Sequence, residues 1–172
     1  TSAAENGWQT VETADAALVV DTDRTVRADN SRLRQLFTNL VRNAVEHGGR
    51  DVTVTVGELA EGFYVEDDGS GISPDAREAV FEVGYSTSQA GTGFGLNIVK
   101  RVAEAHDWRI RLTDGGDGGA RFEITVRGCL HHVVGDRLVV ASLRGGVLRD
   151  GTDGIERRLG VAVLAPVPPG PG

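Results

Sequence analysis

The sequence predicts an α/β domain: a two-layer sandwich in which one mixed β-sheet is covered on one face by about three helices. Three observations lead there. One long run carries apolar residues at helical spacing. Several short runs alternate at strand spacing. The two patterns follow one another as strand, long helix, two strands, short helix and loop, helix, two strands. At 172 residues the chain can bury a substantial core.

Residues 1–15 are polar and mixed and form a lead-in. Ala16–Val20 is a short apolar run that fits a strand, and Asp21–Arg27 a charged connection. Asp29, Asn30 and Ser31 supply helix-start residues. Leu33, Leu36, Phe37, Leu40, Val41, Ala44 and Val45 then form one apolar stripe, ended by Gly48-Gly49. Val52, Val54 and Val56 alternate with threonines as a half-buried strand, and Phe63-Tyr64-Val65 starts another. Ser73-Pro74 opens a short helix. Residues 82–95, rich in Gly, Ser and Thr, carry no period and read as a mobile loop. A helix runs from about Gly95 to His106, and Trp108–Leu112 and Arg121–Val126 are two more strands.

Beyond residue 127 the character changes. Residues 1–127 hold 21 acids and 13 bases, whereas 128–172 hold 4 and 5. The sequence thus divides into a lead-in, a domain over 16–127, and a tail over 128–172 ending in disordered Pro/Gly-rich sequence. Within the tail, Leu130–Val134 and Leu138–Ala141 form a candidate hairpin. The tail is either a small added β element or a segment with no evolved fold.

The net charge of −7 argues against a general nucleic-acid or anionic-membrane binder. No apolar run is long enough to span a bilayer, and the first ten residues lack a secretory pattern. Cys129 is the single cysteine, which excludes a disulfide framework and a cysteine-built zinc site within one chain. A reduced, cytoplasmic compartment is expected.

Three constellations carry chemistry. Asn39, Asn43 and His47 follow at intervals of four, on one helix face. Carboxamide oxygens are hard ligands that add no negative charge beside a magnesium polyphosphate, although the same spacing also suits a solvated face. Asp67-Asp68-Gly69-Ser70-Gly71-Ile72 ends a strand; a carboxylate there can accept a hydrogen bond from the exocyclic amine of adenine, or the segment is an Asp-Gly turn. Gly91-Thr92-Gly93-Phe94-Gly95-Leu96 precedes a helix, where exposed backbone amides and the helix dipole can cradle phosphate, or the glycines form a flexible linker.

In this order the three resemble the ATP-binding catalytic domain of sensor histidine kinases, of the superfamily that includes gyrase-type, chaperone-type and mismatch-repair ATPases. Gln35–Gly48 resembles the asparagine box, Asp67–Ile72 the first glycine box, Val80–Thr87 the phenylalanine box, Gly91–Lys100 the second glycine box, and Gly118–Phe122 the closing glycine-rich element. The resemblance spans about residues 16–127. It implies a Mg²⁺ ligand at Asn43, phosphate or ion support from Asn39, and adenine binding by Asp67. Gly69, Gly71, Ile72 and Leu96 would shape the purine pocket. Gly91, Gly93 and Gly95, with Thr92 and Phe94 between them, would meet the phosphates beneath a mobile ATP lid over about 82–95. Phe81 and Tyr85 would anchor that lid; Tyr85, Thr87 and His47 complete the nucleotide-contacting set. Either aromatic also suits plain core packing.

Asn39 stands where the hydrolytic members carry a glutamate that activates water. An amide cannot take that proton, so a domain that holds ATP for another protein's side chain is implied rather than fast hydrolysis. Two positions depart from the kinase pattern. Glu46 replaces a basic residue that helps hold phosphate, and Ala120 replaces a common threonine. Residues 1–30 contain no histidine, and His106 suits packing or capping better than phosphorylation. The chain therefore reads as a catalytic half that would donate the γ-phosphate to a histidine on a separate dimerisation domain, for relay to a response regulator. The alternatives are a nucleotide-binding module without transfer and a serine-directed kinase of the same superfamily.

Overall fold

The computed structural model describes residues 3–11, 15–22, 25–85, 93–126, 139–142 and 147–149. The elements are α1 (Ala3–Trp8), β1 (Ala17–Asp21), β2 (Thr25–Ala28), α2 (Asn30–Gly48), β3 (Thr53–Leu59), β4 (Gly62–Asp67), α3 (Gly95–Ala105), β5 (Trp108–Asp114), β6 (Ala120–Val126), β7 (Val139–Ser142) and β8 (Val147–Arg149). The larger sheet has the order β5-β6-β4-β3-β1-β8. Among the described strands of this sheet only β1 and β3 run parallel, because α2 carries the chain across between them; the other neighbours are antiparallel.

The predicted sandwich is what forms. The stripe of α2 is buried at Leu33, Leu36, Phe37, Leu40, Val41 and Ala44. Phe37 stacks on Phe63 of β4 at 5.7 Å, and Trp108 of β5 meets Phe63 edge-on at 6.0 Å. The opposite sheet face is polar: the Arg121 guanidinium lies 3.6 Å above the Tyr64 ring and bonds Glu66 at 3.1 Å. With charged side chains such as these on that face, the apolar stripe of α2 packs on the other.

The start of α2 is tied to the end of α3. Asp29 Oδ1 accepts the Arg32 amide at 2.8 Å as the N-cap, while the Asp29 amide donates to His106 Nε2 at 3.0 Å. His106 Nδ1 sits 2.8 Å from the Val102 carbonyl, so a neutral imidazole protonated on Nδ1 satisfies both partners. Its ring packs 4.7 Å from Trp108, the packing and capping role expected of it.

The structure differs from the sequence reading at four places. The lead-in contains a helix, α1, with Ala3, Ala4 and Trp8 in the core and Thr10 bonded to Thr38 of α2 at 3.0 Å. The connection Asp21–Arg27 contains a strand: β2 pairs antiparallel with β7, burying Val26 and Ala28. Its partner lies over a hundred residues away, so no local signal marks the pairing. The helix expected after Ser73 is two short 3₁₀ turns, Pro74–Ala76 and Ala79–Phe81, and Ser73 makes no side-chain cap. In the tail, Val139–Ser142 pairs with β2 and Val147–Arg149 with β1, rather than 138–141 closing a hairpin; Leu130–Val134 lies outside the described residues.

Candidate nucleotide site

A cleft of about 440 Å³ opens between α2, the β4–α3 connection and the start of α3. Asn39, Asn43 and His47 line it from α2. Gly71, Ile72 and Tyr85 line it from the connection, and Gly93, Phe94, Gly95 and Leu96 from the N-terminus of α3. A smaller pocket adjoins its floor, sharing Asn43, His47, Gly71 and Ile72, with Asp67 and Ala120 at its base. Residues from three motifs far apart in sequence thus face common space. Thr87, Gly91 and Thr92 lie outside the described residues.

Each element positions its residues for a local reason. The buried stripe of α2 turns the adjacent face, with Asn39 and Asn43, outward to the cleft. Asn39 Nδ2 donates to the Gln35 carbonyl at 2.8 Å, which fixes its carboxamide. The Asn43 side chain has no hydrogen-bond partner among the described residues and keeps its oxygen available.

The two neighbouring acids at the end of β4 part company. Asp68 Oδ1 accepts the Thr53 amide at 2.7 Å and ties the end of β4 to the start of β3. Asp67 is 8% exposed, and its Oδ1 accepts the amides of Gly69 at 3.1 Å and Ala120 at 3.2 Å. Both bonds use Oδ1, which leaves Oδ2 as an acceptor in the buried base of the pocket. Burial pushes the Asp67 carboxyl above the ordinary 3.8; the Ala120 and Gly69 amides pull it down, and the charges of Asp68 and Glu66 push it further up. Ala120 contributes through its backbone, so the absent threonine hydroxyl leaves this bond intact. Gly69 lines neither space directly. A Cβ on it would stand 2.5 Å from the Gly48 Cα, so a side chain there would part β4 from the end of α2.

At the cleft mouth, the Gly84 amide donates to the Gly93 carbonyl at 3.1 Å, joining the two edges of the 82–95 segment. Gly93 has φ +68°, and a Cβ there would meet the Gly84 carbon at 2.6 Å. Asn97 Nδ2 donates to the Phe81 carbonyl at 3.0 Å and pins α3 to the second 3₁₀ turn. Phe81 is buried and meets Phe122 edge-on at 6.3 Å, so it packs in the core, while Tyr85 lines the cleft.

The residues not singled out from sequence are Arg42, Ser70, Ser73, Ala76, Val80 and Ile98, all of which line the cleft. Arg42 had a signal: it sits beside Asn43 and three residues after Asn39 on the same helix.

Residues 28–128 match the family of histidine kinase-, DNA gyrase B-, and HSP90-like ATPases. The chain belongs to that family. Among its relatives, the sensor histidine kinase ZraS of Salmonella typhi is 37% identical over 109 residues, covering 60% of this chain and 23% of that kinase. The sensor protein kinase CarS of Pseudomonas aeruginosa is 38% identical over 100 residues, covering 56% of this chain and 22% of CarS. The chain thus spans less than a quarter of these kinases. Among solved structures, the mycobacterial sensor histidine kinase MprB aligns with TM-score 0.64 at 26% identity, over 72% of this chain and 92% of that one. Full-length ShkA, solved in complex with AMPPNP, aligns with TM-score 0.58 at 29% identity, over 72% of this chain and 28% of ShkA. The matched region is the ATP-binding catalytic domain of sensor histidine kinases. Among its described residues no helix is long and apolar enough to cross a membrane.

Proposed function

We propose that the chain binds ATP with Mg²⁺ and presents the γ-phosphate to a histidine on a separate dimerisation domain, for relay to a response regulator. The observation that carries this reading is the shared cleft: two asparagines from α2, the amide-bearing start of α3, and a buried carboxylate with one free oxygen at the floor. Asp67 Oδ2 accepts the adenine amine; guanine offers a carbonyl there, which would leave both oxygens unpaired. Ile72 and Leu96 flank the ring as apolar walls. The backbone amides of Gly93 and Gly95 and the N-terminus of α3 meet the phosphates, with Gly91 and Thr92 continuing the same run.

The donor set fits magnesium. Asn43 has one unengaged carboxamide oxygen, and such an ion takes its remaining ligands from phosphate oxygens and water. When bound, the ion neutralises charge on the phosphates. Asn39, held by Gln35, is an amide that cannot take a proton from water, so that position supplies no base for hydrolysis. In the transfer, the unprotonated nitrogen of the acceptor imidazole forms an N–P bond to the γ-phosphorus, the bond from that phosphorus to the bridging oxygen breaks, ADP leaves, and the other ring nitrogen releases its proton to solvent. No nucleophile of this chain takes part.

The test mixes the chain with labelled ATP, Mg²⁺ and a histidine-bearing helical hairpin. Acid-labile label on the hairpin supports the proposal. ATP binding without any transferred label across such partners points to a nucleotide-binding module, and acid-stable label to a serine-directed kinase.

A further inference from the structure

Phosphate recognition in the cleft is unbalanced in charge. Glu46 lines it three residues after Asn43, and a carboxylate repels a triphosphate. Against it stands Arg42, the one Arg or Lys among the described residues that line the cleft. Arg42 lies one turn from both Asn39 and Glu46 on α2, within reach of either. Neither Arg42 nor Glu46 has an ion-pair partner among the described residues; the pairs formed elsewhere join Arg77 to Asp114 and Arg121 to Glu66 and Glu123. An exposed guanidinium with no partner, beside two carboxamides and opposite a helix N-terminus, offers a planar donor fork to phosphate oxygens.

We infer that Arg42 is the cation that meets the polyphosphate, and that it sets the preference for nucleoside triphosphate over monophosphate. This rests on the ATP reading above. Glu46 opposes the same contact, because its carboxylate places a negative charge beside the phosphate oxygens. The charge that a basic residue at position 46 would supply comes instead from one helical turn earlier.

Calorimetric titration of the whole chain with Mg-ATP, Mg-ADP and AMP tests the assignment, with circular dichroism to check that each variant folds. For Arg42→Ala, ATP affinity is expected to fall about tenfold or more, ADP affinity less, and AMP affinity little. Arg42→Lys should recover part of the loss, and Glu46→Gln should tighten ATP binding severalfold. A folded Arg42→Ala variant that binds ATP as the unaltered chain does overturns the inference and leaves the ATP reading standing. So does an equal loss for ATP and AMP, which would mark a disturbed cleft rather than a phosphate contact. An unaltered chain that binds no adenine nucleotide overturns the ATP reading, and this inference with it.

Discussion

Asp67, at the floor of the cleft, is 8% exposed and held by two backbone amides, whereas Phe94, at the mouth, is 49% exposed and Val83 beside it 66%. The floor holds its polar atom in one orientation before any ligand arrives. The mouth is fixed through its backbone, at the Gly84–Gly93 bond, and leaves large apolar side chains uncovered. On the proposed ATP reading, the contrast separates two tasks. Reading the base needs a rigid acceptor, because discrimination comes from leaving the wrong base unpaired. Admitting and releasing a nucleotide needs side chains free to rearrange.

Altering the floor should have the largest effect. Asp67→Asn keeps an oxygen for the Gly69 and Ala120 amides but replaces the free acceptor with a donor. ATP affinity should fall about a hundredfold, roughly 2.7 kcal/mol, by calorimetry. Stability should not fall with it. Burial raises the folded-state pKa of Asp67, so its favourable contribution is complete below 3.8 and is lost as pH rises through the raised value. At neutral pH the buried charge is a cost, and the amide removes it. A thermal melt of Asp67→Asn at pH 7 should match or exceed that of the unaltered chain; a clear drop would mean the carboxylate holds the fold.

The same linkage predicts a pH effect on binding. As pH falls through the raised Asp67 pKa, above 3.8, the carboxyl gains a proton and ATP affinity declines. The Asp67→Asn variant should lack this decline over the same range.

Altering the mouth should cost less affinity and more local order. Gly93→Ala places a Cβ against Gly84 at φ +68° and should lower stability by about 1–2 kcal/mol in chemical denaturation. ATP affinity should fall severalfold, because the start of α3 shifts. Gly84→Ala also has a positive φ but open space around its Cβ, so it should cost less, which separates strain from collision.

The smallest effect is expected away from both. His106→Ala removes the acceptor for the Asp29 amide and the donor to Val102. About 1 kcal/mol of stability should be lost, with ATP affinity unchanged. A change in affinity would mean that the α2–α3 tie also aims Asn39 and Asn43.

Local patterns made much of the molecule legible. The α2 stripe from Leu33 to Ala44 needs only a period, and Gly48-Gly49 needs only glycine's freedom to end a helix. Asn39, Asn43 and Gly93–Leu96 stood out because their motifs place them on a helix face or before a helix start. Asp67 was named over Asp68 by the motif resemblance and not by spacing, since adjacent carboxylates are told apart physically by which backbone amides reach them. The β2–β7 and β8–β1 pairings, the burial of α1 and the presence of Arg42 in the cleft were beyond local pattern.

The amino-acid order by itself determined most elements of the central domain, their alternation and the three candidate motifs, because periodicity, caps and glycine placement act within a few residues. Tertiary structure alone decided that those motifs share one cavity and which cation stands beside it. Those outcomes depend on contacts between residues tens of positions apart, whose closure no short-range rule can specify.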